Sequence, residues 1–260
     1  MKVAGLQSDI VWEDPRANFE RYRPRIAAAV AAGAQLVVLP EMFATGFSMA
    51  AERITEPPGG ECEAFLVEQA SEHGVVLIGS VATSSEGGGM PRNLGIVARP
   101  GGAIETYAKI HPFTFAQEDR HYAAGHQALV TEVGGMRVAL TICYDLRFGE
   151  MYMALAPRVD LFVIIANWPE PRRHHWKTLL EARSIECMSY VLGVNRVGEG
   201  GGLVYTGDSC LWAPMGECLS AAAPGAEEMV LGEVSAEVVK QSRERFPVLS
   251  DRRVEIYRDM

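Results

Sequence analysis

The sequence predicts an α/β architecture with two central sheets and outer layers of helix. Three observations lead there. Segments of strand and helix character follow one another as β-α-β crossovers, but hairpins interrupt them, so parallel and antiparallel pairing must coexist. The strand candidates "QLVVLP", "VVLIGSVA" and "DLFVIIAN" are apolar on both faces, which requires helices or a second sheet on each side. No internal repeat, low-complexity stretch or linker divides the 260 residues, so one domain is expected over 1–260.

Taken in order, "KVAGLQ" alternates like a strand. "NFERYRPRIAAAVAAGA" reads as a helix stopped at Gly33, and "QLVVLP" as a buried strand stopped at Pro40. "GGECEAFLVEQASEHG" is a second helix, ending at Gly74, and "VVLIGSVA" a further buried strand. "SSEGGGMPR" is a turn, and "NLGIVARPGGAIETYAKI" a hairpin around Pro100-Gly101-Gly102. "HPFTFAQEDRHYAAGHQ" has no periodicity and reads as a loop. "ALVTEVGGMRVALTIC" is a hairpin turning at Gly134-Gly135. The helix "FGEMYMALA", the strand "DLFVIIAN", the helix "RRHHWKTLLEARSIECMSY" and the strand "VLGVNRV" follow. "GDSCLWAPMGECLSAAA" and "EEMVLGEVS" supply further strands, and "AEVVKQSRERF" a last helix.

Composition bounds the function. Hydrophobic residues are 48% and charged residues 22%, ordinary values for a chain with a sizeable core. A net charge of -9 argues against nucleic acid and anionic membranes as partners. The start "MKVAGLQSDIVWED" is interrupted by Asp9 and Glu13 and lacks the apolar run of a signal peptide. No run of about 20 apolar residues predicts a transmembrane helix. A cytoplasmic location is expected. The cysteines, Cys62, Cys143, Cys187, Cys210 and Cys218, are scattered, odd in number and without a Cys-x-x-Cys pair, which disfavours a disulfide framework and a zinc site.

Reactive groups stand at three strand ends. Glu41 follows "LVVLP", Lys109 ends "IETYAK", and Cys143 ends "VALTIC". In layered α/β folds ligand sites gather where strands end and loops diverge. Each residue alone has a bland reading: a solvated or capping carboxylate, a surface ammonium, a core thiol. Together they form a chemistry. A thiol with a pKa of about 8.5 is little ionised at neutral pH. A carboxylate in reach can take its proton, and an ammonium can stabilise an oxyanion. Cysteine, base and cation describe acyl transfer through a thioester.

The segments "LPEMFATGF", "YAKIHPF" and "ICYDLRFGE" resemble the three catalytic motifs of the nitrilase superfamily, the carbon-nitrogen hydrolases. "ANWPEPRRHHWKTLLEARSIECMSYVLGVNRVG", followed by "YTGDSCLWAPMGE", resembles its omega-amidase branch, and the likeness runs from "AGLQSD" to "IYR". The resemblance implies a four-layer α-β-β-α sandwich and a homodimer. It implies Glu41 as general base, Lys109 as oxyanion stabiliser and Cys143 as nucleophile, with Glu118 as the family's second glutamate. The Tyr144 backbone N–H would share the oxyanion. No cofactor and no metal are expected.

Two departures stand out. Gly149 replaces the branch's usual proline, with an effect expected on the start of the next helix. Cys187 and Met188 in "ARSIECM" replace two amides, with an effect expected at the helix end or the dimer surface.

Other candidates are weighed beside these. His111 or His121 paired with Cys143 in the papain manner is disfavoured, since glutamate and lysine fill those roles. His174 and His175 are adjacent on a helix, so they diverge by about 100° and cannot pair on a metal. Gly87 to Gly89, and Gly198 with Gly200 to Gly202, lack the context of a phosphate loop. The apolar residues of "FGEMYMALA" belong to the core or a dimer surface. Arg147, four residues after Cys143, either pairs with Asp145 or a nearby glutamate, or forks onto a substrate carboxylate while Asp145 holds the turn. Arg183 and Arg196 are the next candidates for that carboxylate. Phe43, Phe47, Phe115 and Trp168 are candidate pocket walls, each with a core alternative.

By branch resemblance the substrate is a small-molecule keto-acid ω-amide such as 2-oxoglutaramate or 2-oxosuccinamate, cleaved to acid and ammonia. N-carbamoyl amino acids or aliphatic amides are the enzymatic alternatives. A catalytically silent binding protein of this fold is the non-enzymatic one, and the intact trio opposes it.

Overall fold

Burial on both faces of the central strands sets the architecture. A computed structural model describes residues 1–85 and 87–257. The first half contains β1 (Lys2–Gln7), α1 (Pro15–Ala31), β2 (Leu36–Val38), α2 (Ala51–Ile54), α3 (Glu61–His73), β3 (Val76–Thr83), β4 (Arg92–Ala98) and β5 (Ile104–Ala108). Next come β6 (Leu129–Val133), β7 (Met136–Ile142), α4 (Gly149–Leu155), β8 (Leu161–Ala166), α5 (Arg173–Cys187) and β9 (Tyr190–Asn195). The chain continues with β10 (Val197–Gly200), β11 (Leu203–Thr206), β12 (Cys210–Trp212), β13 (Cys218–Ala221), β14 (Glu228–Glu233), α6 (Ala236–Arg245) and α7 (Val254–Tyr257).

The strands form two six-stranded sheets, β14-β1-β2-β3-β4-β5 and β6-β7-β8-β9-β12-β13, and a β10-β11 ribbon. In the first sheet β1, β2 and β3 are parallel, and β14, β4 and β5 pair antiparallel beside them. The second repeats this pattern: β7, β8 and β9 are parallel, flanked by antiparallel β6 on one side and β12 and β13 on the other. The two halves share a topology although their sequences show no repeat.

The inner faces of the sheets meet in one core. Val3, Val38, Ile78 and Val97 pack there with Leu140, Ile142, Val163, Ile165 and Val194. Glycine sets the spacing. A Cβ on Gly5 would lie 2.7 Å from Val194 Cγ2, and one on Gly95 would lie 2.7 Å from Leu140 Cδ2. The outer face of the first sheet is covered by Phe19, Tyr22 and Ile26 of α1 and Phe65 and Leu66 of α3. On the other outer face, a Cβ on Gly193 would lie 2.4 Å from Leu180 Cδ1 of α5. The result is the mixed α/β sandwich, two sheets flanked by helices, that the sequence predicts.

Local signals explain several boundaries. Pro15 opens α1 behind Asp14, whose side chain accepts from the Ala17 N–H. Gly74 closes α3 in the left-handed conformation. Three features differ from expectation. The loop after β5 contains 3-10 turns at Thr114–Ala116 and Glu118–Arg120. The strand read through "VLGVNRV" breaks at Arg196. The glycine-rich stretch after it forms the β10-β11 ribbon, whose strands pair with each other outside both sheets and so lack the apolar pattern of a buried strand.

The helix after Cys143 uses its apolar face on this chain's own core: Tyr152 and Leu155 are buried, and Met151 and Met153 pack against them in part. Cys187 is buried and Met188 caps α5 in left-handed conformation, so that departure lies inside the helix end and not on a surface. Of the turn expected over "SSEGGGMPR", Glu86 lies outside the described residues, as do residues 258–260 of the expected domain. Among the described residues no helix is long and apolar enough to cross a membrane.

Candidate active site

The duplicated topology sends strand ends from both sheets to one place. Glu41 lies three residues beyond β2, Lys109 directly follows β5, and Cys143 directly follows β7. Glu41 is fully buried. Its Oε1 accepts from Asn93 Nδ2 at 2.8 Å and Lys109 Nζ at 3.0 Å, and its Oε2 accepts from the Asn167 N–H at 2.9 Å. Asn167 Nδ2 also donates to the Glu41 carbonyl. The carboxylate is therefore held by donors from three directions, which a mobile base would not be.

Lys109 joins this carboxylate to a second. Its Nζ lies 3.1 and 2.9 Å from the two Glu118 oxygens and 4.9 Å from the Phe47 ring centroid. The Phe113 N–H donates to Glu118 Oε2. The 3-10 turn within the supposed loop thus carries Glu118 into the interior. Glu118 is fully buried and Lys109 nearly so. Burial works against the Lys109 charge, but Glu118 and Glu41 overcome it and hold the ammonium well above its ordinary value. Burial pushes the Glu118 carboxyl up against the pull of Lys109, and the Glu41 charge adds to the push.

Cys143 occupies a left-handed conformation, φ 48°, unusual for a residue with a Cβ. Burial, then the Glu41 carboxylate, raise its thiol well above the usual value, with Lys109 acting the other way. Burial and the Glu41 carboxylate thus favour the thiol over the thiolate. Such an arrangement can pass the thiol proton to Glu41 as sulfur attacks.

Asp145 fixes the turn that carries Cys143. Its fully buried carboxylate accepts from the Ile142 N–H at 2.9 Å, Tyr107 Oη at 2.7 Å and the His111 N–H at 3.0 Å, and meets His111 Nδ1 at 2.8 Å. It pairs with His111 and not with Arg147, so the structural alternative for Arg147 does not hold in that form. Arg183 donates to the Leu146 carbonyl at 3.0 Å, on the same turn. Gly149 leaves room for it, since a Cβ there would lie 3.1 Å from Arg183 Nη1.

A cavity of ≈ 290 Å³ opens onto Cys143. Phe47, Tyr144, Arg147 and Trp168 line it. The Arg147 guanidinium lies 4.8 Å over Trp168, and its Nη2 is 3.1 Å from His175 Nδ1. Two expected walls are corrected. Phe43 is fully buried between the first sheet and α1 and α3, with its ring against Phe19, Tyr22 and Phe65, outside the cavity lining. Phe115 is 82% exposed and stands outside the cavity, beside Phe113, which does line it.

Sequence reading missed Asn93, Asn167, Phe113, Arg172 and the ribbon residues Leu203 and Tyr205. Asn167 follows β8, so the strand-end rule that found the trio applies to it too. Asn93 begins a strand and carries no such signal. Among the described residues no group of three or more His, Cys, Asp or Glu stands where it could hold a metal.

Replacing Lys109 with methionine leaves Glu41 and Glu118 buried face to face. Breaking a buried ion pair this way typically destabilises by about 3–5 kcal/mol, and Lys109→Met should lose that much at pH 7. In the variant the folded Glu118 pKa rises further above its unfolded value, so the folded state binds the extra proton as pH falls and regains stability. Denaturant midpoints should show a smaller loss relative to the parent at pH 5 than at pH 7. An equal or larger loss at pH 5 contradicts the assignment.

The chain is similar to known proteins along its length. The family model described as carbon-nitrogen hydrolase matches residues 2–244. Omega-amidase YafV of Escherichia coli K12 is 36% identical over 254 residues, 96% of each chain. The 2-oxoglutaramate amidase of Bacillus subtilis 168 is 30% identical over 258 residues, 98% of each chain. The crystal structure of XC1258 from Xanthomonas campestris, a CN-hydrolase superfamily protein with an arsenic adduct in its active site, superposes with a TM-score of 0.90 at 35% identity over 97% of each chain. Whole-length matches of this kind, on a fold with the same two flanked sheets, establish that this chain belongs to the carbon-nitrogen hydrolase family as an amidase acting on carbon-nitrogen bonds.

Proposed function

We propose that the protein hydrolyses the terminal amide of small keto-acid ω-amides through a thioester on Cys143. One observation carries the reading: Cys143, with the bonded Glu41 and Lys109 behind it, opens onto a cavity whose Arg147 and Arg172 have no carboxylate partner among the described residues. The similarity to omega-amidases and a 2-oxoglutaramate amidase supports the substrate class.

In the proposed cycle the Cys143 sulfur bonds to the amide carbonyl carbon while its proton moves to Glu41. Carbonyl π electrons move onto oxygen, where Lys109 and the Tyr144 N–H receive them. The Tyr144 N–H lies at the start of a 3-10 turn, where helical N–H groups lack an intrahelical acceptor. One lost oxyanion donor typically adds about 2.7–4 kcal/mol to the barrier. The oxyanion then collapses, the C–N bond breaks, and nitrogen takes the proton from Glu41 and leaves as ammonia. Glu118 holds Lys109 and, through the Phe113 N–H, the loop beside the leaving group. Water, deprotonated by Glu41, attacks the thioester, releases the acid and returns the proton to sulfur.

Ammonia release from a panel of keto-acid ω-amides, N-carbamoyl amino acids, neutral amides and nitriles tests this reading. Keto-acid ω-amides should lead in kcat/KM, and Cys143→Ala should reduce their turnover to the buffer rate with the fold intact. Preference for another class, or activity retained in Cys143→Ala, contradicts it.

The proposal extends to a homodimer. Its support is an exposed apolar surface of Ile185 on α5, Met215 in the β12–β13 turn, Val238 on α6 and Phe246 just after it. Light scattering at micromolar concentration should give the mass of two chains, and a mass of one chain removes the claim.

A further inference from the structure

We infer that Arg172 joins Arg147 in a two-arginine clamp on the substrate's carboxylate, an inference that rests on the amidase reading. Arg172 lines the same cavity as Cys143 and Arg147. Its guanidinium lies 5.2 Å over the Phe113 ring and 5.8 Å over Phe115. The Phe113 ring in turn lies 4.8 Å from Tyr144, over which Arg147 stands at 5.9 Å. The two cations therefore sit over neighbouring rings of one aromatic shelf. Stacking on a ring face orients a guanidinium and leaves its in-plane N–H donors free.

The other arginines nearby are already engaged. Arg173 forms two 2.7 Å bonds with Asp208. Arg183 binds the Leu146 carbonyl and Glu186. Arg196 is fully buried and binds Asp9 and the carbonyls of Ile10, Val197 and Glu199; its Nη1 has no partner among the described residues, but the side chain lies outside the cavity lining. Arg183 and Arg196, the two alternatives for the carboxylate, both lie outside the cavity lining. Among the described residues the Arg172 guanidinium has neither a carboxylate partner nor a hydrogen-bond acceptor, and Arg147 donates only to His175 Nδ1. Half-buried guanidiniums without carboxylate partners suit an anionic ligand.

The charges agree. Glu41, Glu118 and Lys109 sum to one negative charge when all are ionised, and Arg147 with Arg172 adds two positive charges. One monoanionic substrate brings the cavity to neutrality. This also explains how a chain of net charge -9 admits an anion.

The test uses Arg172→Gln and Arg147→Lys in the full chain, with two readouts. Calorimetric binding of 2-oxoglutarate, the product-like diacid, should weaken at least tenfold in each variant, and this arm needs no turnover. In the kinetic arm, kcat/KM should fall at least tenfold for 2-oxoglutaramate and for glutaramate, which lacks the keto oxygen. It should change less than threefold for propionamide. An equal loss on all three amides makes Arg172 structural through Phe113 and overturns the clamp. A loss confined to 2-oxoglutaramate reassigns Arg172 to the keto oxygen and also overturns it. If the parent binds 2-oxoglutarate but releases ammonia from no amide, the amidase reading fails while the binding arm still decides the clamp. Unchanged 2-oxoglutarate affinity in Arg172→Gln refutes it.

Discussion

The site depends on one buried ammonium between two buried carboxylates. Lys109 contacts Glu41 and Glu118 at hydrogen-bond distance, all three closed to solvent. Removing such charges from water is expensive, and only close mutual contact with further hydrogen bonds compensates. The compensation is visible: Asn93 and the Asn167 N–H serve Glu41, and the Phe113 N–H serves Glu118. Because these donors come from β4, the end of β8 and the loop after β5, the charge cluster also fixes how the two sheets present their strand ends. A polar cluster of this cost in a small volume is more easily understood as chemistry than as stability.

Cys143 is held by a separate device. Cys143 takes a left-handed conformation, and Asp145, two residues on, gathers donors from its own turn and from Tyr107 and His111 on either side of Lys109. One carboxylate thereby ties the segment bearing the cation to the segment bearing the sulfur. Reactive atoms from different sheets can keep their spacing this way without a direct bond between the backbones that carry them.

Much of this was legible in the sequence, and the failures have physical causes. Long apolar runs bounded by Gly or Pro marked the central strands, because burial on both faces leaves little choice of residue. Charged or nucleophilic residues at the ends of those runs marked Glu41, Lys109 and Cys143. Glu118 was legible through family likeness alone, since the 3-10 turn that buries it has no periodicity. Phe43 and Phe115 show the limit for aromatics: composition cannot say whether a ring faces a core, a cavity or solvent. The ribbon that supplies Leu203 and Tyr205 escaped notice because its strands lack a buried face. Arg172 was lost among neighbours of the same type, and only the partners of Arg173, Arg183 and Arg196 set it apart.

The central claim is that a covalent acyl group passes through Cys143. Rapid acid quench of the enzyme during turnover of 2-oxoglutaramate, followed by peptide mass spectrometry, tests it most directly. The account predicts a mass increase equal to the acyl group on the Cys143 peptide, formed within the first turnover and removed by neutral hydroxylamine, as a thioester would be. Steady ammonia release with no acyl group on Cys143, or an acyl group on another residue, would contradict it.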